Sequence, residues 1–247
     1  MSLKEFFEEN KKIALAFSGG CDSAYLLYEV VRNNADVTAY FVKTQFQPEF
    51  ELNDAVLLAK QLGAKLKIIN LDILANSEIA KNPCNRCYLC KSLILSEIIK
   101  AAKKDGYNII IDGTNADDNP AERPGMSALA ELKIKSPLRD NNISKREIRE
   151  KSKNAGLFTW DKPAYACLAT RIRSGKEILA SDLVKIEQGE EMIKNLGFKD
   201  IRIRLSEDNA LLQFKKEDNK RALSMEKIIS KELKDLFPKF TIDTKGR

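Results

Sequence analysis

A short polar segment near the start of the chain carries the residue types that bind phosphate. Residues 18–23 read Ser-Gly-Gly-Cys-Asp-Ser and directly follow the first apolar run. Gly19 and Gly20 allow backbone N–H groups to face a phosphate, the helix expected next adds its positive dipole end, and Ser18 and Ser23 supply hydroxyl donors. No Gly-Lys-Ser/Thr follows, so this is not a Walker A loop. The alternative is a strand-to-helix turn in which the glycines serve geometry alone.

The cysteines form a second group of residues that could do chemistry. Cys84, Cys87 and Cys90 are spaced three apart before a predicted helix, and Cys167 lies among basic residues. A helix start and basic neighbours lower a thiol pKa, and such a pattern indicates metal binding or catalysis. Three thiolates on a [4Fe–4S] cluster would leave one iron open, whereas four would close a zinc or cluster site. The alternative for each, Cys21 included, is a buried inert thiol.

The composition excludes several classes of catalyst. The chain has no histidine, which removes Ser-His-Asp triads, Cys-His proteases and imidazole-bound zinc. The net charge of +6 is compatible with a phosphate-rich ligand or with RNA and does not choose between them. The first residues lack the pattern of a signal peptide, and no apolar run is long enough to span a membrane. We therefore expect a cytoplasmic protein with no membrane partner.

The elements that must position these residues alternate between strands and helices. Strands are predicted at 13–17, 37–43, 66–71 and 109–111, with a short fifth strand at 133–138. Helices are predicted at 3–10, from 22 onwards, at 51–62 with Gly63 as its stop, at 91–104 and at 144–154. This alternation implies right-handed βαβ crossovers. The predicted fold class is therefore α/β with a parallel sheet.

The last part of the chain predicts a smaller α+β unit. Helices are expected at 181–196 and 219–236, and strands at 201–205, 210–214 and 240–243. The aperiodic loop 160–175 marks the boundary. We expect an ATP-binding domain at 1–165 and a domain for substrate binding or oligomer formation at 166–247.

Further residues are candidates for ligand contacts. Gly113 and Thr114 follow a strand end, where open parallel sheets bind ligands, and we assign them to ATP. Arginine suits bidentate contact with phosphate. The candidates for a substrate phosphate are Arg171, Arg173, Arg202 and Arg204. The last two would share one face of a strand, and an exposed strand face is the alternative.

Residues 16–23 resemble the PP-loop of the adenine nucleotide alpha hydrolase superfamily. Members of that superfamily bind ATP so that its α-phosphate is attacked and pyrophosphate leaves. The resemblance implies an ATP site formed by Ser18, Gly19, Gly20, Asp22 and Ser23. It also implies that Asp22 helps to hold Mg²⁺ on the pyrophosphate.

A longer set of segments resembles the LarE family, the ATP-dependent sulfur transferases of nickel-pincer nucleotide biosynthesis. These segments are 82–91, 112–118, 123–125, 136–138 and 160–171. The C-terminal part matches more loosely. The resemblance implies that a carboxylate of a pyridinium dicarboxylate mononucleotide is adenylated and then attacked by sulfur.

The cysteine pattern is similar to that of one of two variants of this family. Cys87, Cys90 and Cys167 match the three-cysteine variant, which implies a [4Fe–4S] cluster whose open iron holds a hydrosulfide. The other variant gives up the sulfur of a single cysteine at the position of Cys167. Cys84 departs from the family, which often has proline there.

Other functions could use the same loop. A tRNA thiolase could share the loop and the cluster, but no RNA-binding module is recognisable, so a nucleic-acid partner is not expected. An amidating ligase would leave the cysteines without a role, and a nucleotide-binding redox or metal sensor would not release pyrophosphate. We expect a small-molecule nucleotide substrate, sulfide or another sulfur donor, and a homo-oligomer.

Overall fold

The protein forms two compact units. The computed structural model describes residues 2–119, 121, 125–206 and 209–247. The first unit contains residues 1–72 and 85–165, and the second contains residues 73–84 and 166–247. The chain therefore enters the second unit briefly and returns before entering it again at Ala166. The excursion at 73–84 was not expected from the sequence.

A four-stranded parallel sheet organises the first unit. Its strands are β1 (Lys12–Ala16), β2 (Asp36–Lys43), β3 (Lys65–Asn70) and β4 (Ile109–Asp112), in the order β3-β2-β1-β4. The helices of this unit are α1 (Leu3–Glu9), α2 (Cys21–Arg32), α3 (Glu49–Leu62), α5 (Arg86–Lys104), α6 (Met126–Glu131), α7 (Pro137–Asp140) and α8 (Lys145–Asn154). The predicted α/β class and parallel sheet are confirmed.

Helices cover both faces of this sheet because its strand residues are apolar on both sides. Ile13 and Leu15 of β1 pack into a core with α2 and α8, whereas Ala14 packs into a separate core with α5 and α6. Successive side chains of a strand point to opposite faces, so a buried parallel strand needs apolar residues at every position. Gly63 ends α3 at φ +61°, as predicted.

The strand order opens a crevice at one edge of the sheet. From β1 the chain proceeds to β2 and β3 on one side, and then crosses to β4 on the other side of β1. The loops that leave β1 and β4 therefore diverge at the carboxyl edge of the sheet. Such a reversal opens a crevice in which α/β proteins bind ligands.

The second unit is a small α+β assembly. It contains α4 (Ser77–Ala80), α9 (Ala180–Asn195), β5 (Ile201–Leu205), β6 (Ala210–Phe214), α10 (Lys216–Ser224), α11 (Glu226–Leu233) and β7 (Phe240–Ile242). β5 and β6 are antiparallel, and β6 and β7 are parallel. Ile186 of α9, Ile203 of β5 and Leu212 of β6 are fully buried.

Three sequence predictions about elements are wrong. The fifth strand at 133–138 is reduced to one bridge between Ile111 and Lys135, because Lys133 is left-handed and Pro137 opens α7. The helix expected at 219–236 is two helices that meet at Met225. α5 begins at Arg86 instead of residue 91. Within the described part of the chain, no helix is long and apolar enough to cross a membrane.

Candidate functional site

A cavity of about 310 Å³ lies at the carboxyl edge of the parallel sheet in the first unit. Its polar wall comes from the loops after β1 and β4. Its apolar wall comes from Phe41 and Val42 of β2 and from Ile94, Leu95 and Ile98 of α5. A cavity with one polar end and one apolar end suits a molecule that joins a phosphate chain to an aromatic base.

The predicted phosphate loop forms the polar end of this cavity. Gly20 is the N-cap of α2, so the first free N–H groups of that helix open toward the loop. The hydroxyl oxygens of Ser18 and Ser23 lie 3.0 Å apart, and Ser23 also donates to the carbonyl of Gly20 at 3.2 Å. Gly19 has φ +69°, a conformation that favours glycine. The loop is thus built as an anion-binding turn.

Gly113 lets the loop after β4 approach the start of α2. A Cβ atom at Gly113 would lie 2.8 Å from the nitrogen of Ser23 and 3.0 Å from its Cα. Beside it, the Thr114 hydroxyl donates to Asp112 at 2.6 Å. Both Gly113 and Thr114 line the cavity, and their assignment to ATP stays a prediction.

Asp22 is held by partners that sequence reasoning missed. The Lys145 ammonium lies 2.6 Å from Asp22 Oδ1, and the Asn115 amide donates to Oδ2 at 3.3 Å. Lys145 is the first residue of α8, whose start is fixed by a capping box between Ser144 and Glu147. The capping box predicted where α8 begins. It carried no information that this end of α8 lies against α2.

A different lysine lines the cavity itself. Lys91 of α5 lines it, and its Nζ lies 3.7 Å from Asp112 Oδ2. Asp112 also accepts a hydrogen bond from Ser136 at 2.7 Å. Lys91 is therefore a second cation on the polar side of the cavity, and the sequence assigned it no separate role.

The cysteines are divided between the two units. Cys87 and Cys90 lie at the start of α5 in the first unit, Cys87 exposed and Cys90 partly buried. Cys167 precedes a short 3-10 turn in the second unit. Cys84 is exposed there, and the Ser174 hydroxyl lies 3.7 Å from its sulfur. Across the described ranges, no three cysteine or carboxylate side chains come together as metal ligands.

Cys21 has the environment of an inert thiol. It is buried at the start of α2, and its Sγ lies 3.7 Å from the carbonyl oxygen of Trp160. Burial raises the pKa of this thiol, with smaller opposing effects from Lys145 and Arg149. A neutral thiol in this position does not supply a nucleophile.

The predicted arginines have different environments. Arg171 is buried, and its guanidinium forms a paired contact with Glu190 at 2.8 and 3.0 Å. It also donates to the carbonyl of Ala166 at 2.7 Å. Arg171 therefore shapes the turn that carries Cys167, and its position does not fit the predicted contact with a substrate phosphate.

The other three arginines are more accessible. Arg173 and Arg204 are exposed, and Arg204 donates to the side chain of Gln213 at 2.6 Å. Arg202 is partly buried, and burial together with the neighbouring Arg247 and Arg171 lowers its pKa. These arginines remain the candidates for contact with a phosphate group.

The amino-acid sequence was compared with those of known proteins. No protein-family model matches the chain. It is 37% identical over 230 residues to an uncharacterised protein of Methanocaldococcus jannaschii, covering 93% of this chain and 88% of the relative. It is 27% identical over 205 residues to pyridinium-3,5-bisthiocarboxylic acid mononucleotide synthase of Lactiplantibacillus plantarum, covering 82% and 74%. The predicted resemblance to the LarE family is confirmed.

A more distant relative shares only part of the chain. A tRNA-specific 2-thiouridylase of Pseudothermotoga lettingae is 27% identical over 189 residues, which is 61% of this chain and 54% of the relative. The LarE family and this thiouridylase both belong to the PP-loop superfamily. The resemblance seen in residues 16–23 is thereby confirmed.

Proposed function

We propose that this LarE-family chain is an ATP-dependent sulfurtransferase of nickel-pincer nucleotide biosynthesis. It would adenylate a carboxylate of a pyridinium dicarboxylate mononucleotide and replace one carboxylate oxygen with sulfur. The observation that carries the proposal is one cavity lined by the phosphate loop with Asp22 and by Lys91, with Lys145 paired to Asp22. The name of the Lactiplantibacillus relative supplies the substrate class.

The cavity supports binding of ATP with a defined orientation. The N–H groups of the phosphate loop and the hydroxyls of Ser18 and Ser23 would hold the phosphates. The apolar wall would hold the adenine. Carboxylate oxygen is the ligand that Mg²⁺ prefers, so Asp22 would hold that ion, which neutralises phosphate charge when it is bound.

The substrate carboxylate would next be activated by adenylation. A substrate carboxylate oxygen attacks the α-phosphorus, and the bond to the pyrophosphate oxygen breaks. Lys145 and Lys91 would stabilise the negative charge that grows on the departing pyrophosphate. In the second step a sulfur nucleophile attacks the acyl carbon and AMP leaves with the bonding electrons, which yields a thiocarboxylate.

The role of the cysteines is a separate part of the proposal. Cys87 and Cys90 lie three residues apart on α5, a spacing that places two thiols on one helix face. We propose them, with Cys167, as ligands of a [4Fe–4S] cluster. The described residues bring no group of three such ligands together. Sacrifice of the Cys167 sulfur is the alternative.

Metal analysis tests this part. After anaerobic purification, the wild type is expected to contain iron and acid-labile sulfide. Cys87→Ala, Cys90→Ala and Cys167→Ala are each expected to lose both, whereas Cys21→Ala, which removes a buried thiol of the first unit, keeps them. Zinc in place of iron, or loss of one sulfur from the intact protein after turnover, would contradict it.

A tRNA thiolase is the second candidate, because a thiouridylase is among the relatives and the chain is basic. The acceptor decides between the two. We expect AMP and pyrophosphate to form with the pyridinium dicarboxylate mononucleotide and not with tRNA. Stimulation by tRNA alone, with thiolated nucleoside in the digest, would favour the thiolase.

The state of the protein in solution completes the proposal. We propose a homo-oligomer located in the cytoplasm, with the second unit serving substrate binding or subunit contact. Light scattering of the purified full chain tests the oligomer directly, and a monomeric mass at micromolar concentration would contradict it.

A further inference from the structure

Lys162 joins two other parts of the first unit that build the nucleotide cavity. Its ammonium lies 2.7 Å from Asp54 Oδ2 in α3 and donates to the carbonyl of Gly19, in the phosphate loop, at 3.3 Å. Only 15% of the Lys162 side chain is exposed. Lys162 itself does not line the cavity. It therefore contacts the phosphate loop through the Gly19 carbonyl without lining the cavity.

Lys162 belongs to a segment that contacts both α8 and α3 of the first unit. We call residues 157–165 the strap. The guanidinium of Arg149, in α8, donates to the carbonyls of Trp160 and Lys162 at 2.8 and 2.9 Å. The ring of Tyr165 packs edge-on against Phe50 of α3, with centroids 5.0 Å apart. The strap thus has fixed contacts on both sides of Lys162.

The contact with Gly19 orients the neighbouring peptide group. In a trans peptide the carbonyl and the following N–H point in opposite directions. With the Gly19 carbonyl bound to Lys162, the N–H of Gly20 faces the other way and donates to the Ser18 hydroxyl at 3.4 Å, and both Ser18 and Gly20 line the cavity. Gly19 is also packed closely on α3, since a Cβ there would lie 3.1 Å from the Glu51 carbonyl oxygen.

The ion pair with Asp54 explains how a lysine can serve here without binding phosphate itself. The Asp54 carboxylate lies 2.7 Å from the Lys162 ammonium and balances its charge. The ammonium is therefore held in place beside the Gly19 carbonyl. A shielded ion pair gives little net stability compared with apolar side chains of the same size, and fixing one conformation is its best-supported use.

We propose that Lys162 is a positioning residue for the phosphate loop, which couples occupancy of that loop to the strap. This inference rests on the proposed binding of ATP. Loss of the ammonium frees the Gly19 peptide to rotate, so the loop presents its N–H groups less well. The strap also loses its charged link to the loop and keeps the 3.7 Å contact between Cys21 Sγ and the Trp160 carbonyl, so it responds less to nucleotide.

The chain contains a convenient reporter, because Trp160 in the strap is its only tryptophan. Calorimetry with Mg²⁺ and α,β-methylene-ATP, which resists cleavage at the α-phosphate, measures affinity in the full chain. Trp160 emission measures the strap. We expect Lys162→Met to bind about tenfold or more weakly, the typical value of one charged hydrogen bond. We also expect its Trp160 emission at saturation to shift much less than the wild-type emission does.

Matched variants separate positioning from general stability. Lys162→Arg keeps a cation and is expected to recover most of the affinity. Lys153→Met removes a lysine that lies 4.8 Å from the Trp160 ring but is in α8, and it should bind as the wild type does. Asp54→Asn keeps the ammonium, so its affinity should stay within about threefold of wild type. Lys162→Gln replaces Lys162→Met if the latter does not fold, with the same expected loss.

The outcomes are distinct. Wild-type affinity in Lys162→Met, or wild-type binding with no change in Trp160 emission, overturns the inference and leaves the proposed function intact. A loss in Asp54→Asn as large as in Lys162→Met also overturns it, because α3 would then be what matters. Failure of the wild type itself to bind the nucleotide contradicts the proposed function instead.

Discussion

The polar end of the cavity depends on a few individual side chains. Asp22 is the acidic residue of the phosphate loop, and its carboxylate is shared between Lys145 and Asn115. The lysine is 123 residues away in the sequence, so the contact exists only because α8 packs on α2. In the proposed function, this pair would provide both a carboxylate for a cation and a positive charge for phosphate.

Removing the charge of Lys145 should slow ATP cleavage. For Lys145→Met we expect the rate of pyrophosphate release at saturating substrate to fall about a hundredfold, the typical cost of one lost transition-state donor. Lys151→Met, an exposed lysine on the same helix, is the control and should keep the wild-type rate. An unchanged rate in Lys145→Met would remove this lysine from the reaction.

The cysteines should differ in their reactivity. Burial raises the pKa of Cys21, so at neutral pH it has less thiolate than an exposed cysteine, and its access to reagent is poor. In metal-free native protein, iodoacetamide should label the exposed Cys84 and Cys87 first and Cys21 last, as read by peptide mass. The rate at Cys21 should rise only in alkaline solution. Early labelling of Cys21 would contradict its burial.

The ion pair of Arg171 should matter for stability. Arg171 and Glu190 are each about 1% exposed, so Arg171→Met leaves a buried carboxylate without the guanidinium that balances its charge. We expect the free energy of unfolding to fall by about 3–5 kcal/mol, measured by urea denaturation. Arg204→Met, at an exposed position, should change it by less than about 0.5 kcal/mol. Equal effects of the two variants would show that the buried pair is unimportant.

At the scale of elements, the site depends on how closely the loop after β4 approaches α2. Gly113 has no room for a side chain because Ser23 lies behind it. In Gly113→Ala the two backbones must separate, since the added carbon would meet backbone atoms that cannot rotate away. We expect both a lower melting temperature and a loss of nucleotide binding, measured by thermal melting and calorimetry. A variant that binds normally would show that this approach is not required.

The elements of the first unit could be predicted because their signals are local. The apolar run at β1, the glycines after it and the capping box at Ser144 each specify a short stretch of chain. The break at Met225 between α10 and α11 could not be predicted, since neither glycine nor proline marks it. The start of α5 at Arg86 was also missed, because its first turn carries cysteines instead of an apolar repeat.

The candidate site was predictable only in part, for a related reason. Ser18, Gly20, Asp22 and Ser23 come from one continuous loop, so their proximity follows from the sequence. Contacts such as that between Asp22 and Lys145 depend on helix packing, which no local pattern encodes. The burial of Arg171 likewise follows from its partner Glu190 in α9.

At the scale of the whole molecule, the cysteines and the nucleotide loop are distributed over two units. The cavity lies in the first unit, which also contains Cys87 and Cys90. Cys84 and Cys167 belong to the second unit. Residues 73–84 enter the second unit and anchor there through Asn82, whose amide donates to the carbonyls of Ile172 and Arg173. The chain therefore passes from one unit to the other between Cys84 and Asn85, within the cysteine-rich segment itself.

The central claim is that the chain makes an adenylate in order to insert sulfur. The direct measurement is a single turnover under anaerobic conditions with ATP, sulfide and the pyridinium dicarboxylate mononucleotide, followed by mass spectrometry of small molecules and of the intact protein. We expect one AMP and one pyrophosphate for each thiocarboxylate formed, with the protein mass unchanged. Formation of ADP and phosphate, or AMP without any thiocarboxylate, would contradict it.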